Sequence, residues 1–397
     1  MLDFQPNRTA ALERLNAFIP KAGRDYAAKR NYDLPGHPHV SLLSPYVRHR
    51  AITEGEVIDA TLSRFAPSTA EKFIQEVYWR TYWKGWLERR PEVWDRYQRD
   101  LYDAVAALEK DRRLRKDWEA ACNGETGIDC FDYWANQLVD TGYMHNHARM
   151  WFASIWIFTL QLPWELGADF FLRHLLDGDP ASNTLGWRWV AGLQTRGRVY
   201  VAKADNISRY TERRFNPAGL ARDPQPLEDA PFDPAGPVPI SDPATAGKAT
   251  AVLLHWEDLS PTAIMRVDHR AAAVLKPFNH GTPLEPHERV TAFRDALTDD
   301  AAVRYGMADA PRLLSSDLAN WADRNGIEQI VTAHAPTGPI AEELASAERD
   351  LAAKGITLCR QVRAYDASAW PFADKGFFKF KEKIPRLLKE RAGATAA

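Results

Sequence analysis

The chain has few cysteines, no surplus of either charge and no long apolar run. Its three cysteines, Cys122, Cys130 and Cys359, cannot all pair, and they fall short of the thiolate set of an iron–sulfur cluster. A reducing compartment, the cytoplasm, fits that usage. Lys and Arg total 51 against 53 Asp and Glu, a formal net charge of −2. No global basic field gathers a polyanion, so any nucleic-acid contact has to come from a local patch. The most apolar stretch, Met150 to Trp164, is interrupted by Ser154, Thr159 and Gln161. It is short for a membrane span and reads as a buried core helix. The opening MLDFQPNRTA lacks the charged-then-apolar layout of a signal peptide. No internal repeat is visible.

What the chain does have is tryptophan, 14 in 397 residues, within an otherwise ordinary composition of 45% hydrophobic and 26% charged residues. Many of these indoles suit a large aromatic core. Their excess also suits stacking on a planar ligand, or electron transfer.

Three regions follow one another. Residues 1–215 carry apolar residues at helical spacing in 9–20, 68–90, 98–110, 131–139 and 144–161, without strand alternation. Asp179 followed by Pro180 reads as an N-cap with proline in the first turn. Residues 216–247 are rich in Pro, Asp, Ala and Gly and read as a partly extended linker. Residues 248–397 alternate short strand candidates (Ala251–His255, Ala273–Lys276, Gln329–Thr332, Thr357–Gln361) with helical stretches at 287–298, 315–325 and 340–353. That alternation predicts a small α/β domain with a mostly parallel sheet. The expected fold is therefore mainly α, a helical domain followed by a small α/β domain. The tail KGFFKFKEKIPRLLKER reads as a basic helix whose apolar face packs on its own domain.

Four constellations carry chemistry. The first lies between Asp140 and Trp189. Helical spacing puts Asn146, Arg149 and Met150 on one face, and Asp177, Asp179 and Asn183 follow among Trp164, Trp187 and Trp189. Carboxylates there can accept from ring-edge N–H groups and hydroxyls, while an arginine neutralises them, which suits a flavin. The D-G-D turn could equally hold a divalent cation or be a surface turn. The second is SLLSPY, where Ser41, Leu43 and Ser44 precede Tyr46 at a helix start that suits a phosphate. The third is FIQEVYWRTYW, which sets Glu76, Trp79, Arg80 and Trp83 along one helical stripe, the wall of a polar pocket. The fourth is a basic run, Arg188, Arg196, Arg198, Lys203, Arg209, Arg213 and Arg214, opposed only by Asp205 and Glu212. It could track a phosphate backbone or be a solvated loop.

Taken together, SPY, E-x-x-W-R, G-Y-M-H-N-x-x-R-M and D-G-D-x-x-x-N-x-x-G-W-R-W occur in an order that resembles the flavin domain of the cryptochrome/photolyase family, from about Tyr26 to Trp189. The resemblance implies an all-helical domain holding FAD in a bent form. Tyr26, after a two-residue insertion, corresponds to the family's adenine-side tyrosine. Ser41, Leu43 and Ser44 line the phosphates, although the family's Thr-Ser-Arg start is here Val40, Ser41 and Leu42. Arg80 reaches toward the cofactor. Asn146, Arg149, Asp177 and Asp179 surround the isoalloxazine and ribityl parts, and Asn183 faces the flavin N5. An asparagine there is similar to the photolyase choice; plant cryptochromes carry aspartate and animal ones cysteine.

The resemblance also implies that an extruded pyrimidine dimer meets Glu76, Trp79, Asn146, Met150 and Trp189, with Arg196 and Arg198 on the DNA phosphates. Trp187 and Trp164 correspond to the first two members of an electron relay. Its outermost tryptophan has no match near Leu108, where Trp151 or Trp156 are the substitutes, and Tyr143 stands where the family usually has tryptophan. The expected activity is blue-light-driven splitting of pyrimidine dimers in DNA by a deoxyribodipyrimidine photolyase, a lyase. The alternatives are a cryptochrome-like photoreceptor acting through a protein partner, and a light-independent flavin reductase. Domain order departs from the family. The α/β part comes last and resembles an antenna domain through VTAHAPTGPIAEEL and KGFFKFKEKIP, which leaves a second, antenna chromophore unknown. No metal and no membrane contact are expected.

Overall fold

In a computed structural model the chain is described from Asp3 to Phe278 and from His280 to Ala396, with side chains to Gly393. No strand occurs among the described residues before Thr250. The first half is helical: Arg8–Phe18, Glu54–Leu62, Glu71–Glu88, Glu92–Lys110, Arg112–Asn123, Asp129–Thr141, Asn146–Ser154, Trp164–His174, Pro180–Val190 and shorter pieces. Helix starts follow local chemistry. Thr53 and Glu56 form a reciprocal capping box on Glu54–Leu62, and Asp111 caps Arg112–Asn123 through the Arg113 and Leu114 N–H groups. The latter helix is missing from the sequence expectation because all but one of its residues lie outside the buried core. Asn146–Ser154 runs on into a π-helical turn, Ile155–Thr159, inside the stretch read as one core helix.

Residues 216–247 form no regular element and lie along the helices as a strap. Asp229 takes ion pairs from Arg96 (2.9 Å) and Arg188 (2.7 Å). Phe232 packs edge-on to Trp86 and beneath the Arg188 and Arg196 guanidinium groups.

The second half builds one five-stranded, fully parallel sheet: β1 (Thr250–Leu254), β2 (Ala271–Leu275), β3 (Arg312–Leu313), β4 (Gln329–Ala333) and β5 (Thr357–Gln361). Its order is β3-β2-β1-β4-β5, a doubly wound arrangement with helices on both faces. β3 spans only two residues and carried no strand signal. Val252, Leu254 and Val274 face a core shared with the N-terminal helices. Ala251, Leu253 and Leu275 face the helices Leu318–Arg324 and Pro339–Ala352.

The tail differs from its expectation in two respects. It is two helices, Phe377–Lys381 and Ile384–Ala396, and besides touching Phe372 of its own half it packs on the helical half. Phe377, Phe380, Ile384 and Leu387 are buried in the core of the helical half. The reason is aromatic: Phe377 stacks face to face on Trp79, with centroids 3.6 Å apart, and Phe380 leans on Tyr78 and Tyr82. A basic helix can therefore use its apolar stripe on whichever partner offers the larger aromatic surface. No helix among the described residues is long and apolar enough to cross a membrane.

Candidate flavin site

A cavity of about 510 Å³ opens between the helices Glu71–Glu88, Asn146–Ser154 and Pro180–Val190. Its walls bring together Tyr26, Ser41, Leu43, Ser44, Glu76, Trp79, Arg80, Asn146, Arg149, Met150, Asp177, Asp179, Asn183, Trp187 and Trp189. The Asp179–Pro180 start explains part of this convergence. Asp179 Oδ1 accepts from the Ser182 N–H at 2.7 Å, so its carboxylate is fixed at a helix N-terminus. One and two turns along, Asn183 and Trp187 lie four residues apart on the face toward the cavity.

Arg149 Nη2 donates to both oxygens of Asp177, at 3.0 and 2.9 Å, and its Nε donates to the Met144 carbonyl at 2.9 Å. Burial opposes ionisation of Asp177, but Arg149 outweighs it, helped by Ser44 and Arg80, and holds the carboxyl below its ordinary value. Asn183 Nδ2 donates to the Ala168 carbonyl at 2.8 Å, which fixes the turn of the amide, because a carbonyl can only accept. Arg30, the C-cap of the short helix Arg24–Lys29, forms an ion pair with Glu76. Burial pushes the Glu76 carboxyl up, against the pull of Arg30.

Asp179 has the densest surroundings. Its Oδ2 lies 3.5 Å from Arg80 Nη1, 3.5 Å from Lys84 Nζ and 3.6 Å from Arg48 Nε. Burial again opposes its charge, and Lys84, Arg48 and Arg80 together hold it far below the usual carboxylate range. Yet Asp179 Oδ2, Lys84 Nζ and Arg80 Nη1 are all buried without a hydrogen-bond partner. Buried polar groups are rarely left so. The three atoms face one another at ion-pair distance, and Asp179 and Arg80 line the cavity with Lys84 behind them. Lys84 was within reach of the sequence, since it follows Arg80 by four residues on the same stripe. Arg48 and Glu257, which donate and accept behind this wall, carried no such signal.

Not every expected residue reaches the cavity. Trp164 lies outside its lining, packed on Tyr97 at 5.5 Å with the Arg188 guanidinium 5.8 Å from its ring. Trp187 does reach it, and its neighbouring rings are Phe171 at 5.1 Å, Trp156 at 6.1 Å and Phe152 at 6.5 Å. Trp79 and Trp189 border it, the first backed by Phe377 and the second by Tyr200 at 5.4 Å. Arg196 and Arg198 are exposed in the turn after Pro180–Val190, outside the cavity. Asp177 pairs with Arg149, and Asp179 with Arg80, Lys84 and Arg48. Among the described residues no group of three or more His, Cys, Asp or Glu side chains is arranged for a metal.

Residues 73–226 match the FAD binding domain of DNA photolyase. The deoxyribodipyrimidine photo-lyase of Agrobacterium fabrum is 36% identical over 190 residues, covering 47% of this chain and 38% of that protein. The Synechococcus enzyme of the same name is 33% identical over 225 residues, covering 55% and 43%. A bacterial class III photolyase from Agrobacterium tumefaciens aligns in three dimensions with a TM-score of 0.41 at 29% identity, over 51% of this chain and 44% of its own. The chain thus spans less than half the length of these curated relatives. The cation-paired acids Asp177 and Asp179, the Asn183 amide and the bordering indoles at the cavity wall fit the cofactor that such a domain takes, FAD. The helical half of the chain is thus similar, over residues 73–226, to the FAD binding domain of DNA photolyase.

Proposed function

We propose that this chain is a light-driven DNA photolyase that splits pyrimidine dimers. One observation carries the reading. The residues expected to meet a flipped dimer (Glu76, Trp79, Asn146, Met150, Trp189) and those expected to hold the flavin (Arg149, Asp177, Asp179, Asn183) line the same cavity. Bound and reduced, FAD supplies the photoexcited electron that opens the dimer and takes it back. The protein's own share is placement and electrostatics. Trp79 offers an indole for a flipped base, and stacking of that kind returns about 1–3 kcal/mol per base against the few kcal/mol that flipping costs. Glu76 carries a raised pKa, so it is poised to share a proton or hydrogen bond with a dimer carbonyl. Asn183, held by the Ala168 carbonyl, presents a fixed amide to the ring edge. Trp187 and Trp164 serve as electron donors, with Trp156 beside Trp187.

The functional units of this reading are residues 1–215 for the flavin, 216–247 as linker and 248–397 as an antenna-like unit. The free thiols of Cys122, Cys130 and Cys359 support work in a reducing cytoplasm. The deciding experiment is dimer loss from ultraviolet-damaged DNA under blue light and in the dark. Light-dependent loss by FAD-loaded protein is expected; FAD-loaded protein that leaves dimers intact in both conditions, and binds damaged and undamaged DNA equally, defeats the proposal in favour of a photoreceptor. Arg196 and Arg198 supply phosphate contacts, so replacing each is expected to flatten the salt dependence of DNA binding by about one unit of slope. An unchanged slope removes the pair from the interface.

A further inference from the structure

In open α/β sheets ligands bind where the winding reverses, outside the carboxyl ends of the strands. Here that place lies between β1 and β4. The helical half fills it. The residues that follow β1, His255 to Asp258, are buried, and Glu257 accepts from Arg48 Nη1 at 2.7 Å and Arg48 Nη2 at 2.6 Å. Arg48 Nε donates to the Gly178 carbonyl at 2.7 Å, inside the D-G-D turn. Lys84 Nζ lies 3.5 Å from Asp179 Oδ2 and 3.6 Å from Glu257 Oε2. Two acids and two cations thus form a buried square, none of the four side chains more than 5% exposed, and Arg80 joins it at Asp179 from the cavity side (3.5 Å). Of the four, only Asp179 lines the cavity. The other three face it from behind, and Glu257 alone comes from the α/β half. A buried square of this kind tolerates no missing member without leaving a charge unbalanced.

We propose that Glu257 is a positioning residue for the flavin: by sharing Arg48 and Lys84 with Asp179 it fixes the ionic balance at the cavity wall and so sets the reduction potential of the bound FAD. The sheet half is then part of the redox site, and its switch point is spent on tuning. This rests on FAD occupying the cavity, and the two ideas fail differently. Wild-type protein that takes up no FAD defeats the site. Loaded protein with an unresponsive potential defeats only this proposal.

The test is the midpoint potential of bound FAD in the whole chain. Glu257→Gln removes one negative charge and leaves both cations, so the potential is expected to move positive, because reduced flavin is the more negative form. Lys84→Met is expected to move it the opposite way. Pairing Glu257→Gln with Arg48→Gln restores the cluster's wild-type net charge and is expected to return the potential toward wild type. Asp258→Asn is the control. Asp258 is as buried, but it pairs with Arg363 (2.6 Å) and Arg50 (3.6 Å), not with the square, so the potential is expected to stay. Should Glu257→Gln not fold, Glu257→Asp, which keeps the charge and withdraws the carboxylate, is expected to give a smaller positive shift. Potentials equal to wild type in the folded Glu257 variants, or shifts matched by Asp258→Asn, overturn the proposal.

Discussion

At the scale of single residues, one cation can decide whether a buried acid helps or harms. Arg149 Nη2 holds both oxygens of Asp177, and burial, which disfavours the charged acid, is outweighed chiefly by that guanidinium with help from Ser44 and Arg80. Asp177→Asn leaves Arg149 facing an amide at the cavity wall. A charged hydrogen bond is worth about 1.5–3 kcal/mol, so FAD is expected to bind roughly 10- to 100-fold more weakly, read by fluorescence titration. Unchanged affinity would show that the pair supports the turn and not the ligand. The residues of this pair were legible in the sequence because each sits in a local pattern, R-M after M-H-N and D-G-D before a capped helix. Lys84 lay on a visible stripe but reads as a solvated lysine until the fold closes over it. Glu257 follows the strand AVLLHW with no pattern of its own. Its role exists only once the sheet's carboxyl end meets Arg48, a contact across 209 positions of sequence.

At the scale of elements, the tryptophans depend on close helix packing. Gly167 lies in the helix Trp164–His174, and a Cβ there would overlap the Trp187 ring and stand 2.9 Å from Trp156 Cε2. No Cβ contact of that kind is tolerated, and both indoles are rigid, so the helices must part. Gly167→Ala is expected to cost about 1–3 kcal/mol of stability, in line with overpacking elsewhere. If Trp187 feeds the flavin, the same change slows light-driven flavin reduction in the folded protein. Photoreduction at the wild-type rate in the variant would take Trp187 out of the relay. Helical periodicity made the long helices of the first half readable, and strand–helix alternation made the parallel sheet readable. The destination of the tail was not readable, because an apolar stripe names a face and not a partner. Phe377 found Trp79, at a separation of 298 positions that no local rule spans.

At the scale of the whole molecule, the two halves are tied by charge, and charge makes the tie depend on pH. Burial raises the Glu257 pKa, but Arg48 and Lys84 outweigh burial and bring it from 4.5 to about 2. Its folded value lies below its unfolded one. Its stabilisation is therefore complete above 4.5 and is lost as pH falls toward 2, at no more than about 1.4 kcal/mol per pH unit. Asp177, Asp179 and Asp258 are shifted in the same direction and steepen this limb. His145 and His174, pushed down to about 3 by burial, stay neutral in the fold and add a loss that begins below 6.5. Glu165 works the other way. Burial first, then Asp100, raise it from 4.5 to about 7, so its contribution is complete below 4.5 and is lost as pH rises through 7. Stability is expected to peak between these limbs. Two variants separate them in denaturant titrations run from about pH 3 to about pH 8. Glu257→Gln is expected to be less stable than wild type near neutrality, by about 3–5 kcal/mol for a broken buried pair, with a shallower acid limb, so that the two curves converge as pH falls. Glu165→Gln is expected to match wild type in acid and exceed it above pH 7, because the amide mimics the protonated form that the buried site prefers. An acid limb in Glu257→Gln as steep as in wild type would mean that the square does not couple the sheet to the helices, and the ionic tie between the halves would then rest on the other pairs, Arg50 with Asp258 and Asp366 and Glu88 with His334.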